Sequence, residues 1–386
     1  MTTTINNEHK KLNVPNIRFP EFQGEWEKCT FDKIAQYKKG PFGSALKKDI
    51  FVPQSEDTIK VYEQQNAIKK DWTLSRYYIT KGYFNSHMKQ FVAKAGDLIV
   101  SCAGTIGEIY ELPQDAEEGV FNQALMRVQV NDEAVNKEIF ITVFSSMIDK
   151  FSKIYSNGSA IKNIPPFADL KKTQVFLPCK EEQKKIAKLL ALLDERISTQ
   201  TKIIDKLQSL IKGIGKQLFT NSANWKTAKI GEFLRIGNGK DYKHLGVGKI
   251  PVYGTGGQML LVNDYLYDGD SVCIGRKGTI DKPMFLTNKF WAVDTLFYTY
   301  DFKDILPKFC YYLFQQINWK LFNEGTGVPS LSKSTIENIK VKIPTLEQQT
   351  KISTFLSSLE RKAKIEEHIL NAILKEKQYL LRQMFI

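Results

Sequence analysis

From Ile186 to Leu218 apolar residues return every three or four positions, the period of one face of an α-helix. With Ile186 at heptad position a, the a row is Ile186, Leu193, Gln200, Leu207 and Ile214, and the d row is Leu189, Arg196, Ile203, Leu210 and Gln217. The e row, Leu190, Ile197, Ile204, Ile211 and Leu218, is apolar throughout, so the stripe is wider than a strict coiled-coil seam. The same frame fits a second segment, with Ile352, Leu359, Glu366, Ile373 and Leu380 at a, Phe355, Lys362, Ile369, Glu376 and Gln383 at d, and a weaker e row. The pattern predicts two helices of about 40 residues, each roughly 60 Å long at 1.5 Å per residue.

No single small module buries a stripe of that length, so the two helices are expected to bury each other. Each leaves one part of the chain and has to end beside the other, which makes the pair antiparallel. The expected contacts are Ile186, Leu189, Leu190, Leu193, Gln200, Ile203 and Leu207 against Ile352, Phe355, Leu356, Leu359, Glu366, Ile369 and Ile373. Both seams are interrupted at the same a position, by Gln200 and Glu366. Tolerance of one polar residue in a long helix is slightly preferred as the reason; the alternative is a polar pair that sets register at a cost in stability.

The helices begin alike. PCKEEQKKIAKLL (178–190) returns as PTLEQQTKISTFL (344–356), an offset of 166 that holds to GIGKQLF (213–219) and YLLRQMF (379–385). Upstream the match is looser. GEWEKCTFDKI (24–34) answers ANWKTAKIGEF (223–233), GDLIVSCAGTIG (96–107) answers GDSVCIGRKGTI (269–280), and FNQALMRV (121–128) answers WAVDTLFY (291–298). A helix-like segment running into a polar, Gly-containing loop occurs at 136–159 and again at 304–327. The order is therefore variable module, helix, variable module, helix.

Strand-like runs fall at 97–103, 124–130, 270–275 and 294–300, bounded by Gly, Pro and Asn. The expected fold class is α+β or mixed α/β: two similar modules joined to a pair of long antiparallel, coiled-coil-like helices, with a pseudo-twofold internal repeat. The strand order does not follow from the pattern.

Chemistry is mostly absent from the motifs. Cys29, Cys102, Cys179, Cys273 and Cys310 stand singly, with no C-x-x-C pair and no histidine at ligand spacing, so mostly structural thiols are expected rather than a metal site. His9, His87, His244 and His368 are isolated. NIPPF (163–167) is like a methyltransferase Asn-Pro-Pro-aromatic loop only until Ile164 separates Asn163 from the prolines, so a turn is expected there. IGNGKDY (236–242), YGTGGQ (253–258) and IGRKGTI (274–280) are Gly-rich, but none fits G-x-x-x-x-G-K-[ST], which argues against ATP binding. Glu360, Arg361 and Lys362 read as a solvated helix face. No run of 18 apolar residues is found and the N-terminal MTTTINNEHKK lacks the apolar core of a signal peptide, so a cytoplasmic location is expected.

Charge changes the picture. Fifty-five Lys and Arg against 42 Asp and Glu leave +13, which points to a polyanionic partner. Loops in both modules mix cations with Asn, Gln, Ser, Tyr and Gly; the polar side chains can contact phosphates and base edges, and glycine lets backbone approach the phosphates closely. In the first module the candidates for DNA contact are Lys38, Lys39, Ser44, Lys47, Gln64, Gln65, Asn66, Asn85, His87, Lys89 and Gln90. In the second they are Lys240, Tyr242, Lys243, His244, Tyr253, Thr255, Gln258, Arg276, Lys277 and Thr279. Any one of these loops alone is better read as a solvated polar loop; their joint occurrence in both modules of a +13 chain shifts the balance.

VPNIRFPEFQGEWE (14–27), IPVYGTGG (250–257), IGRKGTI (274–280), FWAVDTLFY (290–298) and the doubled P-x-x-E-[EQ]-Q-x-K-I (178–186 and 344–352) together resemble the specificity subunit of type I restriction-modification enzymes. The resemblance covers nearly the whole chain. It implies an N-terminal tail (1–20), target-recognition domains at 21–178 and 220–343, and conserved spacer helices at 179–219 and 344–386. Each domain would read one half of a split site in double-stranded DNA, the helix pair setting the gap. It also implies no catalysis and no cofactor bound by this chain. Two methyltransferase subunits would carry S-adenosylmethionine, and two motor-nuclease subunits ATP and Mg. A single-chain DNA methyltransferase or nuclease, and a helical scaffold that binds no DNA, remain the alternatives.

Overall fold

The computed structural model of the chain describes residues 13–155, 167–220 and 224–385. His9 and the turn expected at 163–166 lie outside them. The chain divides into two compact units, Met1–Ile197 with Ile373–Ile386, and Ser198–Ala372. Both long helices, Lys180–Thr220 and Leu346–Met384, contribute to both units, so the units cut across the expected alternation of module and helix.

In the first unit the strands are β1 (Glu27–Thr30), β2 (Ala35–Lys39), β3 (Thr58–Tyr62), β4 (Tyr78–Thr80), β5 (Val92–Ala93), β6 (Leu98–Ser101), β7 (Ile109–Glu111), β8 (Gly119–Phe121), β9 (Leu125–Val130) and β10 (Gln174–Leu177). They form sheets of order β2-β9-β6-β7 and β4-β3-β8-β5 and a ribbon β1-β10, antiparallel except for the β3/β8 pair. The helix Lys137–Tyr155 drives Ile139, Phe140, Phe144, Met147 and Ile148 into a core with Phe31, Leu98, Val100 and Val128. Phe140 and Phe144, one turn apart, stack at 5.1 Å.

In the second unit the strands are β11 (Lys226–Lys229), β12 (Arg235–Asn238), β13 (Val247–Gly254), β14 (Gly257–Val262), β15 (Tyr267–Asp268), β16 (Ser271–Gly275), β17 (Met284–Leu286), β18 (Lys289–Ala292), β19 (Leu296–Tyr300) and β20 (Lys340–Ile343). Their sheets run β12-β19-β16-β17 and β14-β13-β18-β15 with a ribbon β11-β20, again with one parallel pair, β13/β18. Strand for strand this is the pairing scheme of the first unit, so the duplication read in the sequence extends to topology. The helix Pro307–Gln316, opened by a proline at its first turn, buries Phe309, Cys310, Leu313 and Phe314 on the equivalent face.

The doubled helix start has a structural cause. Gln183 and Gln349 are buried, and each holds its helix to the module beside it. The Gln183 Nε2 donates to Pro178 O (2.9 Å) while its Oε1 accepts from Asn136 N (2.7 Å) at the head of the module helix. Gln349 repeats this, donating to Pro344 O (3.0 Å) and Asp304 O (3.0 Å) and accepting from Leu306 N (2.8 Å). Each glutamine therefore ties a proline carbonyl to an otherwise unpaired helix N–H. Gln183→Ala and Gln349→Ala should each cost about 1–3 kcal/mol, read by urea unfolding, because buried partners lose their bond.

Helix ends close each unit in the same way. In the first, Phe385 packs edge-on against Trp26 at 6.0 Å; in the second, Phe219 does so against Trp225 at 5.7 Å. The start of the first helix (Ile186, Leu190) shares the first unit's core with the end of the second (Leu380, Met384), and Phe219 shares the second unit's core with Ile352. The pairing within each unit is therefore antiparallel, as expected.

The seam keeps the expected a row and the apolar e row and departs from the expected one in its d row. The covered positions are the a and e rows, among them Leu190, Ile204, Leu356, Ala363 and Met384 at e. The d-row residues Ile203, Phe355 and Ile369, expected to face the partner helix, are 37%, 46% and 37% exposed. The cause lies in the sequence itself: Arg196, Gln217, Lys362 and Glu376 interrupt the d row more often than Gln200 and Glu366 interrupt the a row, whereas an a/e alternation of four and three residues is an ordinary heptad read one register over. Gln200 and Glu366 meet on this seam. Gln200 Nε2 donates to the Glu366 carboxylate at 2.6 Å and to its carbonyl at 3.2 Å. The two polar interruptions satisfy each other, which favours the register reading over simple tolerance.

Candidate nucleic-acid interface

In each unit the loops that follow four strands converge. In the first, Gly40 follows β2 and donates its N–H to Leu125 O (2.9 Å), and Cys102, after β6, donates to Ala124 O (2.8 Å). A methyl on Gly40 would lie 1.9 Å from Asn122 O, so glycine is required for this approach. The second unit repeats the device: Gly239 N donates to Leu296 O (3.0 Å), and a methyl there would lie 1.9 Å from Val293 O. These glycines let backbone meet backbone inside the protein, a different use from the phosphate approach the loop composition suggested.

The rim so formed carries positive charge. Lys39, Lys47, Lys89, Lys240, Lys243, Arg276 and Lys277 are exposed. None of them forms an ion pair among the described residues. Lys38 donates to Gln90 Oε1 (2.7 Å) and lies 5.0 Å from the Phe91 ring, which brings the β2 end to the 85–90 segment. There His87 stacks on Tyr83 at 4.7 Å with Ser86 Oγ 2.7 Å from its Nδ1, while Asn85 and Lys89 face solvent, as do Ser44 and Gln65 on neighbouring turns.

Other candidates are used up inside the fold. Asn66 is buried: its Oδ1 accepts from Glu63 N (2.8 Å), and its Nδ2 donates to Asp71 O (2.9 Å) and Leu74 O (2.8 Å). It caps a helix and has no bond left for a base. Gln64 turns inward to Ala103 O and Thr105 O, holding the turn after β6. Tyr242 packs beside Val252 and Trp291, and Tyr253 beside Phe290, with parts of both rings at the surface. His244 lies edge-on to Trp291 at 5.6 Å.

In the second unit Thr255 and the Arg276–Thr279 loop are brought together, since a methyl on Gly278 would sit 3.6 Å from Thr255 Oγ1. The structure adds a third member, residues 323–330. Gly278 N donates to Pro329 O (2.8 Å), Leu331 N to Arg276 O (2.9 Å), and Asn323 Oδ1 accepts from Gly325 and Ser330 N–H. Hydroxyls of Thr335 and Ser332 hold the Glu324 carboxyl below its usual range. The sequence marks this loop as polar and Gly-containing, but nothing in it shows which strand ends it will join.

Among the described residues no group of His, Cys, Asp and Glu is placed to hold a metal ion, and no helix is long and apolar enough to cross a membrane. Burial pushes the Cys102 and Cys273 thiols up to about 12, so they pack as small apolar side chains.

Comparison with known proteins places this arrangement. The type I restriction modification DNA specificity domain matches over residues 23–209 and 222–375. The MjaVIII specificity subunit of Methanocaldococcus jannaschii is 22% identical over an alignment of 425 positions, covering 95% of this chain and 92% of that one. The Escherichia coli EcoDI specificity subunit is 28% identical over 155 residues, 37% of this chain. The crystal structure of a type I S subunit from M. genitalium superposes with a TM-score of 0.60 at 18% identity, covering 97% of this chain and 99% of its own. A chain from a study of complex assembly in a type I system also gives 0.60, at 14% identity. With its model matched twice along most of its length, the chain belongs to the family of type I restriction-modification DNA specificity domains.

Proposed function

We propose that the chain is the DNA-reading subunit of a type I restriction-modification complex, each unit recognising one half of a bipartite site. The observation that carries this reading is the rim: in two units of the same topology one equivalent strand end carries an exposed cation, Lys39 at the end of β2 and Lys240 after β12, and further exposed cations without ion-pair partners among the described residues, Lys47 and Lys89 in one unit and Lys243, Arg276 and Lys277 in the other, lie on polar and glycine-containing loops. The long helices, paired through the a/e seam, set the number of unspecified base pairs between the halves. Chemistry comes from partners: methyltransferase subunits with S-adenosylmethionine, and motor-nuclease subunits with ATP and Mg. The d-row residues left bare, Ile203, Phe355 and Ile369, are where a methyltransferase subunit docks.

The test is salt-dependent binding of the assembled methyltransferase complex to duplex DNA. Affinity should fall steeply with salt. The double variant Lys240→Ala, Lys243→Ala should weaken binding to all sequences and flatten the log–log slope by about 2, one unit for each phosphate no longer neutralised. An unchanged slope would remove these residues from the interface. Salt-insensitive binding by the parent complex would contradict DNA recognition itself.

A further inference from the structure

The two units treat one equivalent strand in opposite ways. In the first, edge strand β4 is sealed: Tyr78 and Ile79 are 9% and 0% exposed. Leu46, Phe51, Met88 and Phe91 pack in the cluster around Ile79, and Val52 N donates to Tyr78 O at 3.0 Å. In the second, β14 holds the same edge and is bare, with Met259, Leu260 and Leu261 54%, 37% and 45% exposed. Its pairing with β13 shifts register between Val252 and Tyr253, because Tyr253 faces Gln258 while Val252 faces Leu260. Met259 is the residue skipped. A bulge of this kind re-aims a side chain, and bulges gather beside functional sites.

The surroundings indicate what covers these apolar side chains. The β13/β14 ribbon turns at Thr255 and Gly256, and Thr255 lies beside Gly278 in the Arg276–Thr279 loop of the cationic rim. Lys249 is exposed on β13, and exposed Lys240 and Lys243 precede the ribbon. A protein partner for an apolar edge has no need of these neighbouring cations; a DNA groove does. The major groove of B-DNA admits a two-stranded β-ribbon, and the C5-methyl of thymine is the apolar feature of its floor.

We infer that the β13/β14 ribbon enters the major groove of the second half-site, with Met259 and Leu261 reading thymine methyl groups. The inference rests on the DNA-reading function proposed above and adds an apolar recognition element to it. Polar residue types do not mark this site, since its specificity lies in what the ribbon leaves uncovered.

The experiment uses the assembled methyltransferase complex and duplexes carrying its site, with thymines of one half replaced by deoxyuridine, which lacks only the methyl. Replacement in the second half-site should weaken binding about fourfold for each contacted methyl. Met259→Ser and Leu261→Ser should bring the thymine-to-uracil ratio towards one and leave sensitivity at the first half-site as in the parent. Thermal melting of each variant confirms folding. A second half-site without an A·T pair, parent binding indifferent to uracil, or variants that keep the parent's ratio would overturn the inference. So would variants that lose the methyltransferase subunits on gel filtration, which would make the ribbon a protein contact. Failure of the parent to prefer any bipartite duplex would instead refute the DNA-reading function.

Discussion

Replacing residues 220–343 by the same region of another family member should change one half of the recognised DNA motif completely and leave the other half intact. The second unit is built to allow this. Its two four-stranded sheets and the β11/β20 ribbon are formed from strands within residues 226–343. The graft must keep a few joints: Trp225 against Phe219, and the head of the module helix at Leu306 against Gln349. With these retained, the rim cations Lys240, Lys243, Arg276 and Lys277 and the β13/β14 ribbon are exchanged as a set, and the helix seam is untouched. Sequencing of methylated adenines in a host carrying the hybrid reads the outcome. A change in both halves, or in neither, would mean that the units do not read independently.

Arg18→Ala should destabilise the first unit by about 3–5 kcal/mol, because it strands a buried carboxylate. Arg18 forks onto Glu182, Nε to Oε1 at 2.8 Å and Nη2 to Oε2 at 2.7 Å, and its Nη1 donates to Gly24 O at 2.6 Å. The Glu182 side chain is 1% exposed. Bidentate geometry makes this a strong pair, and the first turn of a helix suits the carboxylate. The repeat position in the second helix is Gln348, which is exposed, so the loss should be confined to the first unit. Hydrogen exchange should show residues 13–30 and the start of the first long helix opening, with the core around Phe309 and Ile336 protected as before. The double variant Arg18→Leu, Glu182→Leu should regain most of the loss. Equal destabilisation of both units, or no recovery in the double variant, would contradict this account.

Much of the architecture was legible in the chain because duplication repeats its evidence. The helices begin at Lys180 and Leu346, beside the expected starts, since proline, an acidic first turn and a long apolar stripe mark a boundary together. The seam departs from the expected one for a physical reason. A stripe three rows wide fits more than one heptad frame, and only contact shows that Phe355 and Ile369 lie outside it. Strand order was beyond reach, since strands as short as Val92–Ala93 and the parallel β3/β8 pair are decided by distant partners. The candidate interface was legible as loops and not as residues. Asn66 and Lys39 look equally suited to DNA in sequence, yet one is consumed by a helix cap and the other left in solvent. Met259 and Leu261 carry no signal of their own, because apolar residues in a strand read as core until the structure shows them exposed.

The most direct measurement is the pattern of methylated adenines in a host that carries this chain with the methyltransferase subunits proposed for it. The account predicts one bipartite motif, two short specified halves separated by a gap of fixed length, and a changed gap or lost methylation when a heptad is inserted into one long helix. A continuous motif, or the same halves and gap after the insertion, would contradict it.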